Sequence, residues 1–159
     1  MKQNLEGYIL SAQRLVMYSD LNAAGRLFGG RLMAWMDEAC AMAAMRTMQT
    51  KRIVTKKFGE VIFEAPGLLG DYVEIWCRPE RLGVTSLTLV CRVLARSIAP
   101  EHVEQICRST VVYVAIDEHG RPAPWRAAHG RTCAAPEGAP GADAGRPPGP
   151  EGTRQVEER

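Results

Sequence analysis

Residues Arg31–Met48 (RLMAWMDEACAMAAMRTM) are apolar on almost every face of a helix, and this run constrains the fold more than any other feature. A helix laid on a surface shows one apolar stripe, whereas one that is apolar nearly all round is wrapped by protein. Among its Met, Trp, Ala and Cys neighbours stands a carboxylate, Asp37. A buried charge is costly unless it is paired or used. Three outcomes are open at this point: an ion pair with an arginine such as Arg92 or Arg108, a carboxylate pointing to water, or a working carboxylate. Glu38 beside it is an equally good candidate for a group that faces water.

The wrapping material is legible on either side. Tyr8–Met17 reads as a first strand, and Arg52–Pro66 alternates as a second, with Gly59 marking a bulge or a close backbone approach. Asp71–Arg78 is a third; the turn PERLG leads to Val84–Ser97, and His102–Asp117 follows, closed by EHGRP. One buried helix against four or five long antiparallel strands is an α+β design, a curved sheet wrapped around one central helix. An open edge strand seeks a partner, so dimerisation by continuing the sheet is expected. Trp35, Met33, Met36 and Met42 read as core packing.

The chain of 159 residues suits one domain. From Ala134 to Gly152, fifteen of nineteen residues are Ala, Pro or Gly, too little apolar surface to offset ordering entropy. A folded unit over 1–133 and a disordered Ala/Pro/Gly-rich tail over 134–159 are therefore expected. The formal net charge is only +2 and no Lys/Arg run exceeds two residues, which argues against a nucleic-acid partner. No apolar run reaches membrane-spanning length and MKQNLEGYIL lacks a signal-peptide core. The five cysteines, Cys40, Cys77, Cys91, Cys107 and Cys133, are odd in number and show no CxxC, which suits free thiols in the cytoplasm. His102, His119 and His129 stand at no metal-ligand spacing, so no metal site is expected.

At the head of the helix, Gly29 and Gly30 follow Phe28 where a Ser, Thr, Asp or Asn would normally cap. Free N–H groups at a helix N-terminus are the physical form of an oxyanion hole; close packing against a strand is the plainer reason for the glycines. Asp37 lies eight positions after Gly29, roughly 12 Å along the axis. One carbonyl cannot easily touch both groups of the same chain, so a shared substrate implies two subunits.

DLNAAGRLFGGRLMAWMDEA resembles the signature of the hotdog-fold acyl-CoA thioesterases: a D-x-N-x-x-G loop, an [HF]-G-G helix start and an M-D within the helix. The likeness continues through RIVTKKFGEVIFEAP, LLGD, RLGVTSLTLVCRV and STVVYVAIDEHGRP, covering about residues 8–125. It implies hydrolysis of acyl-CoA to coenzyme A and a carboxylic acid. Asp37 matches the catalytic carboxylate, as general base or nucleophile. Asn22 matches the residue that positions water or thioester, and the Gly29 N–H the group that polarises the carbonyl. Contacts to the substrate are implied for Phe28, Gly30, Gly59, Glu60, Gly83, Thr85 and Ser86, with phosphates met by Arg81, Lys56 or Lys57. No cofactor is implied, since coenzyme A is part of the substrate. The assembly implied is a homo-oligomer, at least a dimer and, by analogy, a hexamer built as a trimer of dimers. Arg26, Gly59 and Tyr18 depart from the residues common at those positions. A non-catalytic acyl-CoA sensor is the alternative; a hotdog hydratase would want a histidine where Phe28 stands.

Overall fold

A computed structural model describes residues 4–98 and 101–125. The expected tail over 134–159, with Cys133 and His129, lies outside the described residues. Strand β1 (Ile9–Leu15) leads through a 3-10 turn (Tyr18–Asp20) to helix α1 (Gly29–Met48). Then come β2 (Ile53–Phe58), β3 (Ile62–Phe63), β4 (Tyr72–Leu82), β5 (Ser86–Ile98) and β6 (Glu101–Ala115). The pairings are antiparallel in the order β1-β4-β5-β6-β2, and the two-residue β3 also pairs with β6. This is the expected curved sheet around a single helix.

Alternation produces the layering. Val73, Ile75 and Cys77 of β4, Leu87, Leu89, Cys91 and Val93 of β5, and Val111, Tyr113 and Ala115 of β6 are buried in one core cluster. Helix α1 meets them with Leu32, Trp35, Met36, Ala39, Cys40, Ala44 and Met48, spaced at three and four residues. Met33 and Met42, expected in the core, are instead 37% and 38% exposed. A single sheet covers one side of the helix, and these methionines lie on the other.

Two boundaries differ from expectation for local reasons. The strand expected over Arg52–Pro66 breaks at Gly59, whose N–H donates to the Thr110 carbonyl at 2.7 Å. A Cβ there would stand 2.3 Å from Thr110 Oγ1, so close backbone approach is what this glycine provides. Strand β4 runs through Pro79 and Arg81 to Leu82, where a turn was expected. A register shift between Pro79 and Arg81 accommodates the residue that lacks an N–H.

Gly59→Ala is expected to destabilise the fold by about 1–3 kcal/mol through overpacking, read by thermal unfolding at fixed protein concentration. Thr110→Ala in the same chain removes the nearest clashing atom, so the double variant should lose less than the sum of the two single losses.

Candidate active site

The loop before α1 is built by the residues of the D-x-N-x-x-G pattern. Asp20, nearly buried, accepts the Met17 N–H on Oδ2 at 3.0 Å and pairs through Oδ1 with Arg31 Nε at 3.2 Å. Its carbonyl accepts the Phe28 N–H at 2.8 Å, so one residue ties the loop to the first turn of the helix. Asn22 Oδ1 accepts the N–H groups of Ala24 (2.9 Å) and Arg26 (3.2 Å), and Gly25 turns the chain at φ +71°. Those two donors identify the oxygen end of the amide, leaving Asn22 its NH2 group to offer elsewhere.

Phe28 makes no side-chain capping bond, and the Gly29 N–H has no acceptor among the described residues. The glycines also have packing reasons. A Cβ on Gly29 would lie 3.3 Å from the Phe63 ring, and one on Gly30 would lie 2.6 Å from the Phe28 ring. The glycine pair thus has a packing reason, and beside it the Gly29 N–H stays open. Beside them lies an open cavity of about 390 Å³ whose lining includes Asn22, Arg26, Gly29, Leu32, Phe63 and Glu64.

Asp37 is half-buried and in no ion pair among the described residues. Its Oδ1 accepts the Thr55 hydroxyl at 2.9 Å and the Tyr113 hydroxyl at 3.1 Å; the latter also lies 3.1 Å from the Asp37 carbonyl. Oδ2 accepts no hydrogen bond from the described residues. The arginines weighed as partners are engaged elsewhere: Arg92 Nε donates to Gln105 at 2.6 Å, and Arg108 pairs with Glu64 at 2.8 Å. Glu38 faces outward and pairs with Arg14 at 3.1 Å. Burial, then the neighbouring Cys40 and Asp37, push the Tyr113 hydroxyl well above the usual phenol range, so it keeps its proton and remains a donor. Thr55 and Tyr113 are cross-strand partners on β2 and β6, and sequence reasoning misses both. The signal that could find them is Tyr113 in the inward phase of VVYVAID, a hydroxyl that needs a buried acceptor.

The other expected contacts are placed as follows. Glu60, Arg81, Lys56 and Lys57 are exposed. Gly83 closes the β4–β5 hairpin: its N–H donates to the Ser86 carbonyl at 2.8 Å, its carbonyl accepts Trp125 Nε1 at 3.1 Å, and a Cβ would stand 2.5 Å from Ser86 Oγ. The Thr85 carbonyl accepts the Ala115 N–H at 2.8 Å. Ser86 pairs with Val114, next to the Tyr113 rung, while Phe63 pairs with Cys107 beside Gly29. Those rungs of β6 are six residues apart, roughly 20 Å. Asn22, Phe28, Gly29 and Gly30 thus gather at one end of the helix. Asp37, near the middle of the helix, lies about two turns further on, with Thr55, Tyr113 and the Gly83–Ser86 turn at that part of β6, and a single chain does not bring the two groups together.

Fold and site define a thioesterase of the hotdog type, and comparisons with known proteins agree. Residues 24–99 match the model of the thioesterase superfamily. The acyl-CoA thioester hydrolase YciA of Salmonella typhimurium is 34% identical over 118 residues, covering 72% of this chain and 88% of the relative. The hexameric thioesterase y2039 from Yersinia pestis superposes with a TM-score of 0.69 at 31% identity, covering 73% of this chain and 93% of that one. Cj0915, a hexameric hotdog fold thioesterase of Campylobacter jejuni, gives 0.67 at 27% identity, covering 77% and 96%. The chain belongs to the acyl-CoA thioester hydrolases of the thioesterase superfamily.

Tyr113→Phe and Thr55→Val each remove one donor from Oδ1, about 1 kcal/mol of positioning. Each is expected to lower kcat for thioester hydrolysis about fivefold with little change in KM, measured by steady-state release of free thiol.

Proposed function

We propose that this protein hydrolyses acyl-CoA to coenzyme A and a carboxylic acid, with Asp37 as the catalytic carboxylate. The observation that carries the reading is the half-held carboxylate: Oδ1 is fixed by two hydroxyls while Oδ2 is left for chemistry. In the base route, Oδ2 takes a proton from water as the water oxygen attacks the thioester carbon. The carbonyl oxygen gains negative charge, which the Gly29 N–H stabilises at the positive end of the helix dipole. The carbon–sulfur bond then breaks, and the departing thiolate takes the proton held by Asp37. In the nucleophile route, Oδ2 attacks the carbon itself, and the carbon–sulfur bond breaks to expel the thiolate. Water then attacks the Asp37 side-chain carbonyl of the resulting mixed anhydride, freeing the carboxylic acid and giving a proton to the thiolate. The Asn22 NH2 group orients the water or the thioester. A thioester carbonyl is electrophilic and thiolate leaves well, so one carboxylate and one backbone donor complete the step without a cofactor.

The site is completed by a second copy of this chain. Asp37 is held by Thr55 of β2, the last strand of the sheet order, so a partner joining that edge lies next to the carboxylate. Its own Gly29 end can then face Asp37, resolving the roughly 12 Å that separates the groups within one chain. The solved relatives described as hexameric support an assembly of three such dimers. Phe28 and Gly30 border the reacting carbonyl, and Gly59, Glu60, Arg81, Thr85 and Ser86 supply the edge along which coenzyme A runs. Four described cysteines are unpaired, which suits the reducing cytoplasm. Among the described residues no helix is long and apolar enough to cross a membrane.

Asp37→Asn is expected to lower turnover at least about 100-fold across a panel of acyl-CoAs while the protein stays folded and oligomeric. Failure of the unaltered protein to release thiol from any of them would favour the sensor alternative. Turnover in oxygen-18 water separates the two routes: label enters the Asp37 carboxylate only if it is the nucleophile.

A further inference from the structure

Three of the four described free cysteines converge where the helix packs on the sheet. Cys40 projects from α1, and Cys77 and Cys91 are cross-strand partners on β4 and β5. Their sulfurs all lie within 4.8 Å of one another, with Cys40 Sγ 3.5 Å from Cys77 Sγ, and none of the three residues is more than 2% exposed. One buried thiol packs as a small apolar group and needs no further account. Three sulfurs in mutual proximity differ, because each can bond to the same point between them. An ion equidistant from sulfurs so spaced lies about 2.6 Å or less from each, against about 2.3 Å for a zinc–thiolate bond. Small side-chain rotations absorb that difference.

We propose that Cys40, Cys77 and Cys91 form a trithiolate site for a soft, sulfur-seeking metal ion, fastening α1 to β4 and β5. The donor set is sulfur alone, which selects ions of the Cu+ and Zn2+ class over Mg2+ or Ca2+. A structural zinc ion takes four ligands, so a set of three favours Cu+. A cavity of about 50 Å³ touches Cys77 and is lined also by Ser11, Arg46 and Thr47; its lining includes the exposed Ile9 and Pro79, so it reaches the surface. As each metal–sulfur bond forms, that thiol gives its proton to solvent, and no electrons are exchanged. Arg46 at the cavity wall offsets part of the negative charge left on the sulfurs. Spacing along the chain hides the cluster, because the three cysteines are far apart in sequence and meet only through helix–sheet packing.

The test titrates the reduced full-length protein anaerobically with Cd2+ as a spectroscopic probe. One ion per chain, a sulfur-to-cadmium charge-transfer band and a raised melting temperature are expected. Cys40→Ala, Cys77→Ala and Cys91→Ala should each lose all three responses, while Cys107→Ala and Cys133→Ser keep them. No band at one equivalent, or a band that survives any of the first three substitutions, overturns the proposal. X-ray absorption of the Cd2+-loaded unaltered protein needs no variant. A shell of three sulfurs supports the site, and a shell dominated by oxygen or nitrogen overturns it. In a competition arm, Cu+ should displace Zn2+; tighter binding of Zn2+ would overturn the three-coordinate assignment.

Discussion

The two hydroxyls that grip one oxygen of Asp37 are the constraint on which the rest of the structure turns. A carboxylate inside an apolar helix must be satisfied, yet a closed ion pair would leave it inert. Thr55 and Tyr113 resolve that conflict with neutral donors, and both bind the same oxygen. Their convergence requires β2 and β6 to be neighbours in one register, which places Thr55 opposite Tyr113. It also requires α1 to pack with the Asp37 side of the helix against that end of the sheet. The fold is thus the device that keeps one carboxylate oxygen fixed and the other available.

Holding the carboxylate at that end of the sheet separates it from the donor that a thioester carbonyl would need. The Gly29 N–H and the Asn22 amide sit about two helical turns away, at the N-terminus of the helix, beside their own cavity. The helix leaves Met33 and Met42 partly exposed, and the sheet leaves β2 at an edge. These features fit the proposed dimer, in which a single chain provides half of an enclosure and a second copy supplies the other half together with the partner group.

Much of this is legible in the order of residues. The apolar helix with its lone carboxylate, the glycine pair without a side-chain cap and the alternating strands follow from local pattern. So does the distance argument for two subunits, because helical rise is fixed. Strand ends are less legible: PERLG carries turn residues, but tertiary pairing absorbs Pro79 into a bulge. Met33 and Met42 mislead because apolar character does not say whether a covering surface comes from the same chain. Thr55 and Tyr113 escape notice because their role exists only in a cross-strand register, and the cysteine cluster is hidden for the same reason. The proposed substrate-edge residues show the converse. Gly59 and Gly83 have immediate packing reasons that sequence similarity alone does not reveal.

The shared site is tested most directly by complementation between two inactive chains. Asp37→Asn removes the carboxylate. Gly29→Pro removes the backbone donor at the first helical position, where proline is tolerated, and Phe28 before it already has the extended backbone that proline demands. If Asp37 of one subunit works with Gly29 of its partner, each mixed dimer of the two variants contains one fully native site. Random mixing of co-expressed chains should then restore about a quarter of the native activity. Activity that stays at the level of the separate variants, in oligomers shown to contain both chains, would contradict the account.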